Sequence, residues 1–404
     1  MKLLHLGDLH LGRSLGEFDL IRDQEYILDQ VLDIIRSREI DAVLIAGDVY
    51  DKAIPSEGAV NLLDEFIKKL SDAKVQTYII SGNHDSDDRL NFGSSLFEDK
   101  GIYISSRFDG KMRKYVTSDE MGEVNIYLLP FVKASQVKHF YPDEKIETYE
   151  DAVRVIIDNS GVDYSSRNVL VAHQFVAGNE DPQVAGSEAV GVQNVGLVEK
   201  IGYSVMEQFD YAALGHIHSP QRIGADHIRY SGSPLKYSLS EVNNDKSVPV
   251  ITLGKKGSID IELVPLKPMR DLRHIRGTRK QLLDRANVTD TEDFIYVTLT
   301  EEDIVNDAIG IFRATYPNTI KLDYDNSRTR EMEQVDLGTA APDRKFSELI
   351  SDFYSQVFGC DITDSERQVM MEVALEAGAI EESEYLQYEE EFGQGKEMDE
   401  DETN

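Results

Sequence analysis

One cysteine, Cys360, stands in 404 residues, so the chain cannot close an internal disulfide or build a multi-cysteine metal site, and this usage suits a reducing cytosol. Apolar runs are short. None approaches the roughly 20 residues that span a bilayer, and the opening MKLLHLGDLHLG is broken by Asp8 and His10 too early to be a secretory core. A cytoplasmic protein with no membrane partner is expected. Positive charge is scarce as well: 42 Lys and Arg face 75 Asp and Glu, a formal net charge of -33. That field repels nucleic acid, so a phosphate-rich partner would have to be held by a local basic patch or by bound cations. The sequence carries no ATP-binding loop and no internal repeat, which leaves any energy coupling to a partner.

What is present is length enough for a substantial core in two or three domains. Up to about residue 265, short apolar strands alternate with amphipathic segments, the habit of helices packed on a sheet. LLHLG reads as a strand, residues 22–39 place Ile27, Val31, Ile34 and Ile35 at helical spacing, DAVLIAG is a strand, 56–70 a second helix, and VQTYIISG closes a βαβαβ opening. Further strands read at NIYLLP, NVLVAHQ, YAALGH, IRYSG and VPVITLG, with few strong helices between them. The expectation is an α/β fold: a two-sheet sandwich flanked by helices over 1–265. Past Lys267-Pro268, RDLRHIRG, a helix at 278–286, DFIYVTLT, a helix at 302–315 and TIKLDY predict a small α/β capping module over 266–327. Residues 328–342 read as a linker. Residues 343–380 read as two helices, the second opened by the capping pattern Thr363 to Glu366. Residues 381–404, with eleven acidic residues and one lysine, read as a disordered tail.

The segment SGNHDSDD, residues 81–88, follows the apolar run VQTYII, so Asn83, His84 and Asp85 lie at a strand's exit, where α/β folds gather their chemistry. Four more exits repeat the pattern: GDLHLG at 7–12, GDVYD at 47–51, AHQ at 172–174 and GHIH at 215–218. Five of the nine histidines, His10, His84, His173, His216 and His218, fall in these segments. Asp8 and His10, like His216 and His218, are two apart, so in extended backbone each pair faces one way and can grip one cation. Carboxylate, imidazole and carboxamide donors without thiolate suit Mn²⁺, with Mg²⁺, Fe²⁺ or Zn²⁺ as alternatives. Seven candidate ligands exceed one ion's needs. They suit two ions about 3.5 to 4 Å apart, bridged by a carboxylate, the arrangement that activates water for attack at phosphorus.

GDLHLG, GDVYD, GNHD, a lone His after a strand and GHIH, in this order, resemble the calcineurin-like metallophosphoesterases and, with YSGSPLKYSLSE and the small module behind them, the meiotic-recombination nucleases of that family. The likeness runs over roughly 1–365. It implies that Asp8, His10, Asp48 and His218 hold one Mn²⁺ and that Asp48, Asn83, His173 and His216 hold the other, with Asp48 as the bridge. It implies that His84 faces the scissile phosphate as the catalytic group at the leaving oxygen. Asp85 would then be an outer acceptor that orients His84 and holds its proton. Related chains often carry a histidine where Asp51 stands, which leaves the role of Asp51 open.

The activity implied is a two-metal, Mn²⁺-dependent DNA nuclease, a double-strand exonuclease and single-strand endonuclease that opens hairpins and processes DNA ends. It would work with a coiled-coil ABC ATPase, as a homodimer within a heterotetramer. Leu62, Leu63, Phe66 and Ile67 would supply the paired seam or else be buried in the monomer. Phe346, Leu349, Ile350, Phe353, Val357 and Phe358 would form an apolar face that docks the ATPase. The small module would contact DNA, with Arg270, Arg273, Arg276, Arg279 and Lys280 either on phosphates or on a solvated face. Asp87 and Asp88 read as helix-capping residues, and His5, His139, His227 and His274 as structural. The alternatives are a small-molecule or phosphoprotein metallophosphoesterase and a non-catalytic scaffold on the same fold. The complete ligand set argues against the scaffold.

Overall fold

The computed structural model describes residues 1–178, 180–184 and 200–327, together with 329, 346, 347, 349–351, 354, 361–376, 380, 385 and 388. Of the expected C-terminal features, the linker and the acidic tail lie outside the described residues except at 329, 385 and 388, and so do Phe353, Val357 and Phe358 of the expected docking face.

In chain order the main elements are β1 (Lys2–Leu6), α1 (Ile21–Arg38), β2 (Ala42–Ala46), α2 (Glu57–Asp72), β3 (Gln76–Ile80), β4 (Ile102–Ser105), β5 (Arg113–Asp119), β6 (Gly122–Leu129), α3 (Ala134–Phe140), α4 (Tyr149–Asn159), β7 (Arg167–His173), β8 (Tyr211–Gly215), β9 (Gln221–Ile223), β10 (Ala225–Tyr230), β11 (Ser247–Leu253), β12 (Ile259–Pro265), β13 (Leu272–Gly277), β14 (Phe294–Leu299), α5 (Ala308–Arg313), β15 (Thr319–Tyr324) and α6 (Asp364–Glu376). Two six-stranded sheets have the orders β12-β11-β1-β2-β3-β4 and β9-β10-β8-β7-β6-β5, and β13-β14-β15 form a third sheet. Within the large sheets, β1 to β4 run parallel to one another, as do β6, β7, β8 and β10.

Strand burial explains the sandwich. Val43, Leu44 and Ile45 of β2 are all buried, as a parallel strand covered on both faces must be. Alternation then sorts side chains between layers. Leu3, Leu44, Tyr78 and Ile80 meet Ile126, Val169, Val171 and Tyr211 between the two sheets. Leu4, Leu6, Val43 and Ile45 point the other way and pack with Ile27, Val31 and Phe66 of α1 and α2. On the far sheet, Tyr127, Leu170 and Leu214 pack with Val153 and Ile156 of α4. Helices α3 and α4 are stronger than the sequence reading allowed. Helix α4 opens with a capping box, Thr148 Oγ1 accepting from Asp151 N at 3.1 Å while Asp151 Oδ2 accepts from Thr148 N at 2.9 Å.

Packing divides the chain into two compact units. One comprises Met1–Ile275, Leu282–Val297 and Asp307–Leu322; the other comprises Arg276–Gln281, Thr298–Asn306 and the described residues from Asp323 onward. The helix expected at 278–286 is a single turn, Arg279–Leu282. The helix expected at 302–315 is also shorter, since Asp307 adopts a left-handed conformation and α5 begins only after it. The start of α6 matches its capping signature, with Thr363 N donating to Glu366 Oε2 at 3.0 Å and Glu366 N to Thr363 Oγ1 at 3.3 Å. Among the described residues no helix is long and apolar enough to cross a membrane.

Three surface readings change with the fold. Leu62, Leu63 and Phe66 are buried and Ile67 packs partly buried against the same core, because that stripe of α2 is the one turned to its own sheet. They form no exposed seam. Of the basic run, Arg270 pairs with Asp23, Arg273 with Asp293 at 2.6 Å, and Arg276 with Asp325, so most of the cluster's charge already faces carboxylates. On the expected docking face, Ile350 is buried in one cluster with Ile362 and Met371, so α6 covers part of that face.

Candidate metal centre

Parallel strands carry their exits to one edge of each sheet, and here the two edges meet. Asp8 and His10 follow β1, Asp48 follows β2, Asn83 and His84 follow β3, His173 ends β7, and His216 and His218 follow β8. The exit loops of β1 and β2 run side by side, with Asp8 N donating to Gly47 O at 3.1 Å and His10 N to Asp48 O at 2.9 Å. The two sheets are tied where His173 Nδ1 donates to Ala46 O at 2.7 Å. Gly82 passes so close to Asp48 that a β-carbon there would overlap its carboxylate. Asp8, His10, Asp48 and His216 all have positive φ, at 52°, 44°, 48° and 101°. Each such residue costs about 1 to 3 kcal/mol and persists only where the surroundings impose it.

Seven side chains gather at this edge. His10 Nε2 lies 3.0 Å from His218 Nε2 and 3.6 Å from Asp48 Oδ2, and Asp8 joins His10 and His218 in one cluster of donor atoms. On the other side, Asp48 Oδ2 lies 3.4 Å from His173 Nε2, while Asn83 Oδ1 lies 3.1 Å from His173 Nε2 and 3.0 Å from His216 Nδ1. Adjacent ligands of a divalent ion bound at about 2.0 to 2.2 Å are about 3 Å apart, so these spacings fit a cation on each side of Asp48. Charge argues the same way. Asp8 and Asp48 are buried, and among the described residues no Lys or Arg pairs with either.

The electrostatics follow from burial and crowding. Burial lowers the His216 pKa to about 3, helped by His173, and burial likewise holds His10 well below its ordinary value. Both shifts favour the neutral imidazole, the form that ligates a metal. Burial opposes the charge of Asp48, yet His173, His10 and His84 overcome it and hold the carboxyl far below the usual range. Burial also opposes a proton on His173, but Asp48 and Asp8 raise its pKa to about 9. A cation at Asp48 would replace that proton, the usual exchange at metal sites. Burial, with the Asp48 charge, pushes Asp8 upward against the pull of His173 and His218.

His84 is exposed and donates through Nδ1 to the main-chain oxygen of Asp51 at 2.9 Å, while its backbone N donates to Asp48 Oδ1 at 2.9 Å. The expectation that Asp85 orients His84 is corrected. Asp85 instead accepts from the backbone amides of Val49 at 3.0 Å, Tyr50 at 2.8 Å and Gly82 at 2.9 Å. It fastens the Asp48 loop to the Asn83 loop, and the reason is geometric: the buried carboxylate points back between the loops while the exposed imidazole next to it lies against the site, its ring centroid 4.8 Å from that of His10. The Asp51 carboxylate pairs with Arg13 at 2.8 Å. Asp87 and Asp88 sit in the first turn of a short helix whose N-cap is Ser86, and accept from Ser81 Oγ and Arg107 respectively.

Sequence reasoning missed a buried group behind His218. Glu241 Oε1 lies 3.4 Å from His218 Nδ1, and Glu241 Oε2 lies 2.5 Å from Lys246 Nζ. Burial pushes the Glu241 pKa up, but His218 and Lys246 prevail and hold it at about 2. YSGSPLKYSLSE contains Glu241, yet nothing in its periodicity marks that glutamate as buried.

Residues 1–220 match the family model described as Calcineurin-like phosphoesterase, and residues 268–358 match the model described as Type 5 capsule protein repressor C-terminal domain. The chain is 34% identical over 326 residues to the D subunit of nuclease SbcCD from Staphylococcus epidermidis, covering 80% of this chain and 85% of that relative. Solved structures similar to it include TT1561 of Thermus thermophilus, with 10% identity, a TM-score of 0.36, and 65% of this chain and 98% of that chain covered. Another is GAP50, the anchor in the inner membrane complex of Plasmodium, with 12% identity, a TM-score of 0.38, and 81% and 98% covered.

Proposed function

The chain belongs to the calcineurin-like phosphoesterase family, as a homologue of the D subunit of nuclease SbcCD, and on that premise we propose that it is the Mn²⁺-dependent DNA nuclease component of an SbcC-like ATPase complex. The observation that carries the reading is Asp48, a buried carboxylate standing between two sets of donor atoms, 3.6 Å from His10 on one side and 3.4 Å from His173 on the other. Asp8, His10, Asp48 and His218 would hold one divalent ion, and Asp48, Asn83, His173 and His216 the second. Bound there, the ions would supply the Lewis acidity and the activated water that phosphodiester hydrolysis needs.

The chain's own residues do the rest. The strained exits of β1, β2 and β8 fix the donors before substrate arrives, so little reorganisation is left for the reaction. The Asp51 main-chain oxygen holds His84 by Nδ1 with its ring beside His10, which leaves Nε2 to donate to the leaving oxygen of a scissile phosphate. The acidic chain as a whole repels a polyanion, so local neutralisation at this edge selects where the backbone of DNA can approach.

The pairing expected of two copies finds support in a different patch from α2's buried stripe. Phe92, Leu96 and Ile54 are 85%, 75% and 72% exposed, and Phe92 and Val60 line one groove beside α2. The ATPase would take the segment 343–380, where Val369 and Val373 remain exposed four residues apart on α6. The expected setting is the cytoplasm.

The test is cleavage by the purified full chain of hairpin and linear DNA, with and without Mn²⁺ and with and without a co-expressed coiled-coil ATPase. Manganese-dependent cutting of single-stranded DNA, extended to duplex ends by the ATPase with ATP, is the expected result. Turnover of a small diester with intact DNA would replace this reading by a small-molecule phosphoesterase.

A further inference from the structure

We infer that Glu241 is a positioning residue that sets the His218 imidazole and, through Tyr237, the backbone that carries His10, the second histidine of that cation site. The inference rests on the metal-centre reading above and concerns a residue outside the ligand set.

Glu241 is fully buried and uses its two oxygens differently. Oε2 faces Lys246 Nζ at 2.5 Å and Ser233 Oγ at 3.3 Å; Oε1 faces His218 Nδ1 at 3.4 Å and Tyr237 N at 3.2 Å. A carboxylate at Nδ1 keeps the ring proton on that nitrogen, which leaves the Nε2 lone pair turned toward His10 Nε2, 3.0 Å away. Lys246 Nζ also donates to His218 O at 2.9 Å, so one ion pair holds His218 by ring and by backbone.

The second arm runs through Tyr237. Its backbone N is bound to Glu241, and its hydroxyl donates to Leu9 O at 2.5 Å. Gln24 Nε2 donates to that hydroxyl at 3.1 Å and to His10 O at 2.8 Å. The Tyr237 ring stands edge-on to both imidazoles, 5.8 Å from His10 and 6.0 Å from His218. Two candidate ligand histidines, from β1's exit and β8's exit, thus share one buried anchor. At the other cation site the tie is of a different kind, His173 being oriented by the main-chain oxygen of Ala46. A charge pair kept only for stability would not need Oε1 aimed at His218.

The experiment is Mn²⁺ binding to the full chain by titration calorimetry and equilibrium dialysis, with no substrate present. Glu241→Gln should leave one ion bound at wild-type affinity and weaken the other about 10- to 100-fold, the usual loss when a ligand histidine's partner is removed. Because the single variant strands Lys246 in the interior, Glu241→Gln with Lys246→Met is the companion. Removing both charges should restore the melting temperature of the metal-free protein while the weak site stays weak. Two Mn²⁺ bound at wild-type affinity by the double variant would overturn the inference and leave the metal centre standing. A wild-type chain that binds no Mn²⁺ would overturn both.

Discussion

His84 gives its Nδ1 hydrogen to the main-chain oxygen of Asp51 at 2.9 Å, so the exposed imidazole is aimed by backbone and not by a neighbouring carboxylate. The arrangement separates the roles of adjacent residues, Asn83 facing His173 and His216 while His84 lies beside His10.

His84→Gln should therefore keep both cations and DNA binding yet lose about 100-fold or more in cleavage, the usual worth of a positioned acid or electrostatic donor. Metal content by atomic absorption together with single-turnover cleavage checks this. Loss of metal with the activity would make His84 a ligand.

Asp48→Asn removes the carboxylate that faces both donor sets, so both ions should bind more weakly and cleavage should fall by orders of magnitude. The fold should survive, since the Asp48 side chain is held by histidines and a backbone amide rather than by the apolar core. Circular dichroism and metal titration read the two effects apart.

Asp119 lies against Arg167, whose guanidinium contacts Asp119 Oδ1 at 2.6 Å and Oδ2 at 3.0 Å and holds that carboxyl well below its ordinary range. The terminal ammonium of Met1 adds to the pull, 2.6 Å from Oδ2. A depressed folded-state pKa stabilises the native state above the unfolded value and loses that contribution as pH falls toward the folded value. Asp119→Asn should thus cost about 1 to 3 kcal/mol at pH 7, because the buried Arg167 loses its carboxylate. The gap from wild type should narrow once pH drops below about 3.9, the unfolded value. Urea unfolding at pH values of about 7, 5 and 3, chosen to straddle that value, measures it; a gap independent of pH would remove the ion pair from the explanation.

Phe92→Glu puts a charge on the apolar patch beside α2. The variant should run as a monomer by light scattering at concentrations where the wild type is dimeric, and its circular dichroism should match that of the wild type because Phe92 is 85% exposed and outside the core. A variant that stays dimeric would move the interface elsewhere, and a wild-type monomer would overturn the expected pairing.

The gathering of the seven donors at one edge was legible because its cause is local. An apolar strand followed at once by Asp or His is visible in the chain, and parallel strands bring such exits to one edge whatever the loops do. The helices 21–38 and 57–72 and the sandwich strands were legible for the same reason, their periodicity being written within a dozen or so residues. Helix boundaries were less so: a left-handed Asp307 delays α5, and no pattern of apolar residues announces that.

What the tertiary structure alone decided is who faces whom across long stretches of chain. Asp85 stands next to His84 in sequence but spends its charge on the amides of Val49, Tyr50 and Gly82. Arg270 is open in the sequence to phosphate or to solvent, and the fold instead sets Asp23, from α1, against it. Nothing in the periodicity around Glu241 marks it as buried, yet it lies between Lys246 and His218. Residue type and spacing determine which groups a strand can present, because backbone geometry is short-ranged. A charge, however, is satisfied by whatever group the fold brings within about 3 Å, and that partner can be any residue in the chain.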